Sequence, residues 1–219
     1  MEKVDAPNGR FYTDGDNYYP SVTSVIDKVL AKGYYFKKWL GDANSFQEAE
    51  EYKNEKAEKG TKVHGYCERL TEGEEIDVSE DSKEVVKKTQ GFIKFYDAKD
   101  PTVLDTEFQV AHKNLRYAGT ADLMASIDDE LWLIDIKTSS NIYNSHKLQL
   151  SFYQKAIDSD IDHQGILWLK DRTKKGYQLK EIDYRPELVT AAMNLYTWVG
   201  DMKPRKEEKL PKSLKLGGD

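Results

Sequence analysis

The sequence predicts an α/β fold, with a central mixed β-sheet of about five strands flanked by helices and a mainly helical N-terminal part. Three observations carry this. Residues 103–137 read as three successive strands joined by short turns, with apolar side chains at two-residue spacing. Residues 145–158 read as a helix between the third strand and another apolar run, Gly165 to Lys170, the arrangement of a crossover between parallel strands. Most of residues 21–98 carries apolar side chains at helical spacing.

Taken in order, residues 10–20, RFYTDGDNYYP, read as a small hairpin turning at Asp14-Gly15-Asp16, with Ser21 as the cap of a first helix. Val22, Val25, Ile26, Val29 and Leu30 recur at helical spacing, and Gly33 ends the run. A short aromatic-rich helix from Tyr34 to Leu40 either packs on the sheet or offers a stacking surface. From Gln47 to Leu70 the composition is helical, with Val63, Cys67 and Leu70 inward, His64 beside them, and Gly60 one turn earlier, leaving space. The acidic stretch 72–84 reads as a loop. Asp81 or Ser82 then caps a helix to about Ala98 that should bury Val85, Val86, Thr89, Phe92, Ile93 and Tyr96.

In the sheet, Leu104, Phe108 and Val110 are expected on one face, with Asp105, Glu107 and Gln109 on the other. The turn KNLR leads through Tyr117 into the strand from Gly119. Leu131, Leu133, Asp135 and Lys137 share one face of the third strand, with Trp132, Ile134 and Ile136 on the other; a strand apolar on both faces is central. A fifth strand, Tyr177 to Asp183, follows the turn TKKG. A closing helix from Pro186 to about Asp201 should turn Leu188, Ala191, Ala192, Leu195, Tyr196 and Val199 inward. The expected organisation is one domain over residues 1–219: a mainly helical part with a small hairpin (1–100), an α/β core (101–201) and a basic, flexible tail (202–219).

Composition narrows the chemistry. With 38% hydrophobic and 33% charged residues over 219 positions, a soluble globular protein is expected. No apolar run approaches the roughly 20 residues of a membrane span, and MEKVDAPNGR lacks the core of a signal peptide, so the expected location is the cytoplasm, with no membrane partner. The single cysteine, Cys67, excludes an internal disulfide and an iron–sulfur cluster, so any metal must be held by oxygen and nitrogen. The net charge of −6 is concentrated: residues 72–84 carry seven acids against Lys83, a net of −6, so the rest of the chain sums to zero. Overall charge is therefore no argument against a polyanionic partner. Residues 203–215 carry six basic residues against Glu207 and Glu208.

The residues with chemical potential centre on Asp122 and, thirteen positions later, Asp135-Ile136-Lys137. A two-residue turn at Asp128-Asp129 pairs Ile127 with Glu130, and counting back sets Asp122 opposite Asp135. Two like charges so placed repel unless something positive lies between them. Lys137 supplies one positive group and a divalent metal would supply another, with the Ile136 carbonyl as a further oxygen ligand. Such a metal orients a phosphate and lowers the pKa of bound water. Taken alone, Asp135 and Lys137 are also an ordinary ion pair. Glu107 can reach the same place from the neighbouring strand, Gly119 lets a backbone approach closely, Gln149 and Tyr153 share a face of the following helix with His146 a turn earlier, and His64 offers an imidazole.

In this order and spacing the chain resembles the PD-(D/E)xK nuclease superfamily, in particular its RecB-like exonuclease branch. The resemblance rests on Gly60-Thr61-Lys62-Val63-His64 with Glu68, on Glu107, on Gly119-Thr120-Ala121-Asp122, on Asp135-Ile136-Lys137-Thr138-Ser139 and on Gln149-Leu150-Ser151-Phe152-Tyr153, across roughly residues 60–170. Tyr19-Pro20-Ser21-Val22-Thr23-Ser24-Val25 also looks like the start of the mitochondrial genome-maintenance exonuclease group and its phage and bacterial relatives. Ala121 stands where the family motif has proline.

The resemblance implies a restriction-endonuclease-like core and metal-dependent cleavage of DNA, with Mg2+ or Mn2+ as cofactor. It implies His64, Asp122, Asp135 and the Ile136 carbonyl as metal ligands, Lys137 as the catalytic lysine, Glu107 as an auxiliary acid, and Gln149, Tyr153, Thr138 and Ser139 as DNA-contacting residues. It points to an exonuclease acting on single-stranded DNA or DNA ends in repair or recombination, and to a phage-encoded protein in a host cytoplasm as one setting. The alternatives are an endonuclease of the same fold and a non-catalytic DNA-binding protein. The basic tail and the Lys53 to Lys62 region are expected to help hold phosphates.

Overall fold

The structure, a computed structural model, describes residues 1–30, 45–157 and 159–206. Its centre is a five-stranded sheet in the order β4-β5-β6-β7-β8, formed by β4 (Thr102–His112), β5 (Tyr117–Ile127), β6 (Glu130–Lys137), β7 (His163–Leu169) and β8 (Tyr177–Glu181). β6 and β7 are parallel and the other neighbours antiparallel, so the sheet is mixed, as the sequence predicts. The parallel pair is joined by helix α4 (Asn144–Ala156).

Helices cover both faces. On one, α1 (Val22–Val29), α4 and α5 (Pro186–Val199) enclose a core that includes Val22, Leu133, Phe152, Ile166 and Tyr196. On the other, α2 (Phe46–Thr71) and α3 (Lys83–Lys99) enclose Val63, Cys67, Phe92, Ile134 and Leu167. Strand β6 contributes to both cores and lies inside the sheet, the place its two-sided apolar pattern predicts. Ser21 caps α1 and Ser82 caps α3, each accepting from the backbone N–H three residues on. No helix among the described residues is long and apolar enough to cross a membrane.

Several expectations change. A strand β1 (Glu2–Ala6) pairs with β2 (Gly9–Thr13), which pairs with β3 (Tyr18–Pro20), so a three-stranded sheet stands where a two-stranded hairpin is expected. The first helix ends at Val29 with Leu30 as its cap, before Gly33. The register of β4 shifts between Val103 and Asp105, which turns Leu104 out to solvent. In α3 the buried stripe includes Lys88 and Phe95 rather than Ile93. In α5 the buried residues are Val189, Ala192, Met193 and Tyr196, while Leu188, Leu195 and Val199 are exposed. The predicted Tyr34 to Leu40 helix and the tail from residue 207 lie outside the described residues.

Candidate active site

The turn at Asp128-Asp129 fixes the register of the β5–β6 hairpin: both residues take the left-handed conformation and Ile127 pairs with Glu130. The ladder runs back to Leu123 opposite Ile134 and stops, one step before Asp122 and Asp135 would face each other. At that step Asp122 Oδ2 accepts the Ile136 N–H at 2.7 Å, so a side-chain carboxylate replaces a backbone carbonyl and the strands part. The other side of β5 is irregular at the same place. Ala121 packs in one core and Leu123 in the other, although residues two apart on a regular strand share a face. Across from this step Glu107 has φ 46, a left-handed conformation that costs a non-glycine residue roughly 1–2 kcal/mol.

Helix α2 brings His64 over this irregularity. Its Nδ1 lies 3.6 Å from Asp122 Oδ2 and 3.9 Å from Glu107 Oε1. One ligand atom from each of His64, Glu107 and Asp122 lies within 4.8 Å of the others. Asp135 is 1% exposed and is turned to Lys137, whose Nζ donates to Oδ1 at 2.9 Å and lies 2.7 Å from Oδ2. No aligned donor reaches Oδ2, a buried carboxylate oxygen without a hydrogen bond.

The electrostatics follow from this geometry. Burial pushes the His64 pKa down, but the neighbouring Asp122 and Glu107 carboxylates outweigh it and raise it to about 10. Burial pushes Asp122 up, and His64, the Lys137 charge and the Ile136 N–H together more than reverse this, so Asp122 stays ionised. Asp135 is raised to about 6 by burial, against the pull of Lys137 and with a further push from Asp122. Lys137 loses to burial but gains more from Asp135 and Asp122, and its pKa rises. Lys137 is therefore a permanent cation at neutral pH, and His64 is the cation between two carboxylates.

This donor set fits a hard divalent ion. It offers two carboxylates and an imidazole, no sulfur ligand, and the unbonded Asp135 Oδ2 nearby, the oxygen-rich mixture that suits Mg2+ or Mn2+. An ion bound to His64 would displace the proton the imidazole carries.

The cavity in front of these residues, about 300 Å³, is also lined by Gln149 and Tyr153 of α4 and by Lys3, Arg10 and Tyr12 of the N-terminal sheet. Tyr153 is buried, and its hydroxyl accepts from Gln149 Nε2 at 2.7 Å. Gly119 has a different role from the one expected: a Cβ there would lie 2.6 Å from the Tyr153 ring, so the missing side chain makes room for that ring rather than for an approaching backbone. His146 caps α4, accepting from the Tyr143 N–H, and burial holds its pKa down to about 4. Thr138 and Ser139 lie outside this cavity and line a second one. Of the lysines expected to hold phosphates, Lys56 pairs with Glu84, Lys59 with Glu55 and Lys62 with Asp81.

Lys3 escapes the sequence reading because β1 does, while Arg10 and Tyr12 lie on the expected hairpin, whose pattern does not show that it borders the site. The signal that could have found β1 is Pro7-Asn8-Gly9, a hairpin turn with Gly9 at φ 130. Tyr12 shares a hydrogen bond of 3.0 Å with Thr120 of β5, tying the small sheet to the site.

No protein-family model and no curated protein sequence matches this chain. Among solved structures, the alkaline exonuclease LHK-Exo from Laribacter hongkongensis aligns at 12% identity with a TM-score of 0.45, over 83% of this chain and 87% of that one.

Proposed function

We propose that the chain is a divalent-metal-dependent deoxyribonuclease that hydrolyses phosphodiester bonds in single-stranded DNA or at DNA ends. The observation that carries this reading is the juxtaposition of His64, Glu107 and Asp122 with the buried Asp135–Lys137 pair. The order of the motifs described above, which adds Gln149 and Tyr153, agrees with it, and the resemblance supplies the preference for ends.

Asp122, His64 and Glu107 would hold Mg2+ or Mn2+, with Asp135 Oδ2 and the Ile136 carbonyl in reserve. The ion, once bound, polarises the phosphate and lowers the pKa of a bound water. Lys137 cannot take a proton at neutral pH, because its pKa is raised. Its role is to stabilise the charge that develops on the phosphate oxygens, and Asp135 fixes its direction. Gln149 and Tyr153 form one wall of the cavity.

The test is digestion of end-labelled linear strands, single and double, with each end blocked in turn and a circular single strand alongside. Linear single strands or ends should be digested with magnesium and not with a chelator, the circle should survive, and Lys137→Ala should lower kcat by about 100- to 1,000-fold. Rapid cutting of the circle makes the protein an endonuclease. Activity that persists with chelator removes the metal centre from the proposal.

A further inference from the structure

Beyond Lys137 the chain leaves β6 through Thr138 and Ser139 into a second groove of about 620 Å³. One face of α2 connects the two places. Tyr52, Lys56, Gly60 and His64 succeed one another at four-residue spacing, so they lie in a row along the helix. His64 faces the first cavity and Tyr52 and Lys56 line the second. Between them stands Gly60, where a Cβ would lie 3.2 Å from Thr138 Oγ1, so the absent side chain keeps the sill between the cavities low.

The charge of this groove differs from that of the chain. Its lining holds Lys56, Lys88, Lys170 and Arg172 against Glu84 and Asp171, four positive groups and two negative, on a protein of net −6. Glu84 is already bonded by Lys56 at 2.8 Å and Lys88 at 2.6 Å. Lys88, itself buried, also donates to the Thr138 carbonyl at 2.7 Å and so holds the wall in place. Arg172 has no hydrogen-bond or ion-pair partner among the described residues. Two rings complete the lining. Trp168 is held in orientation by its Nε1–H bond to the Ser139 carbonyl, 2.7 Å, with the Lys170 ammonium 3.9 Å from its ring centre; Tyr52 lies under Lys56. Cations beside aromatic faces are what a single nucleic-acid strand requires, since unpaired bases stack and phosphates pair, whereas a duplex keeps its base faces hidden.

We infer that this groove binds about three unpaired nucleotides continuous with the phosphate at the metal centre, with Trp168 as the stacking ring and Lys170 and Arg172 as phosphate contacts. The inference rests on the nuclease reading above and names its substrate as a single strand. From His64 to Tyr52 is twelve residues, about 18 Å along the helix, of which the groove takes the part beyond Gly60, about 12 Å. Stacked nucleotides advance about 3.4 Å each, so this stretch holds about three. Lys170 is the movable member: its ammonium now also donates to Gln178 Oε1 at 2.8 Å, and leaving both the ring and that oxygen frees a π-face for a base and an ammonium for the adjoining phosphate.

Two substrates separate the groove from the metal centre. Bis(p-nitrophenyl) phosphate is a small diester that reaches only the first cavity; oligothymidylate of about ten nucleotides spans both at the stacked spacing. For Trp168→Ala and for Arg172→Ala, the loss in kcat/KM on the oligonucleotide should exceed the loss on the small diester by about tenfold, and Trp168→Phe should recover most of it. In parallel, anisotropy of the labelled oligonucleotide in calcium should show weaker binding by Arg172→Ala, with the slope of log Kd against log salt reduced by about 0.7. Equal losses on the two substrates, or unchanged binding and slope, overturn the groove. If the unsubstituted protein hydrolyses neither substrate, the nuclease reading fails instead, and anisotropy alone decides the groove by the same criterion.

Discussion

Asp122 does two things with one carboxylate. It terminates the β5–β6 ladder by accepting the Ile136 N–H, and it holds the His64 proton. Glu107, opposite, is kept in a left-handed conformation that glycine adopts without penalty. Strain at a site of this kind points to function, since the fold alone does not need a glutamate there. Glu107→Gly is therefore expected to raise stability by about 0.5–1 kcal/mol while abolishing most metal-dependent hydrolysis. For a chain of this size that is a rise in Tm of about 1–4 °C, readable by calorimetry. A fall in Tm would mean that the Glu107 side chain contributes more to the fold than its backbone costs. His64, Glu107 and Asp122, which the structure brings together, are among the residues the sequence singles out, but the roles of Gly119 and His146 are not legible there. Both depend on what arrives from another element: the Tyr153 ring in one case, the Tyr143 N–H in the other.

At the level of elements, α2 and α3 are joined by Glu84, which Lys56 and Lys88 bond from the two helices. Hydrogen bonds from Lys56 and Lys88 hold its pKa down from the ordinary 4.5 to about 2. The unfolded chain therefore takes up this proton first as pH falls. The stability the clamp contributes is complete above about pH 4.5 and is lost as pH falls towards 2. The gap in Tm between the unsubstituted protein and Glu84→Gln should be widest at neutral pH and close by about pH 2, whereas a constant gap across that range would place the contribution of Glu84 elsewhere. Periodicity locates these helices to within a few residues and finds the inward stripe of α2, Val63, Cys67 and Leu70, and Val85, Thr89 and Phe92 of α3, but it does not find the whole buried face of α3 or of α5. In α5 apolar side chains occupy more than one side, and Leu188, Leu195 and the 82% exposed Trp198 show that hydrophobicity alone does not say which stripe faces the sheet. In α3 a lysine, Lys88, is buried between Glu84, four residues earlier on the same helix, and the Thr138 carbonyl, and the carbonyl belongs to another element that no pattern within the helix reveals.

For the molecule as a whole, the sheet acts as a partition whose two helical layers meet at the point where β5 and β6 separate. The turn at Asp128-Asp129 let the hairpin register be counted from the sequence, and the structure keeps that register to Leu123 and Ile134. Two-residue spacing also places Lys137 beside Asp135, as observed, but the parting of the strands beyond Leu123 and Ile134 is what counting does not supply, because an ideal ladder has no reason to stop. His64 reaches Asp122 across 58 residues of sequence, a proximity that motif order suggested and helix periodicity could not. The central claim is that hydrolysis requires the carboxylate at this junction. It is tested most directly by the initial rate of magnesium-dependent digestion of a linear single strand by Asp122→Asn, whose amide oxygen can still accept the Ile136 N–H and so spares the fold. A loss of about 100-fold or more in protein that remains folded is the expected result, and a rate close to that of the unsubstituted protein would contradict it.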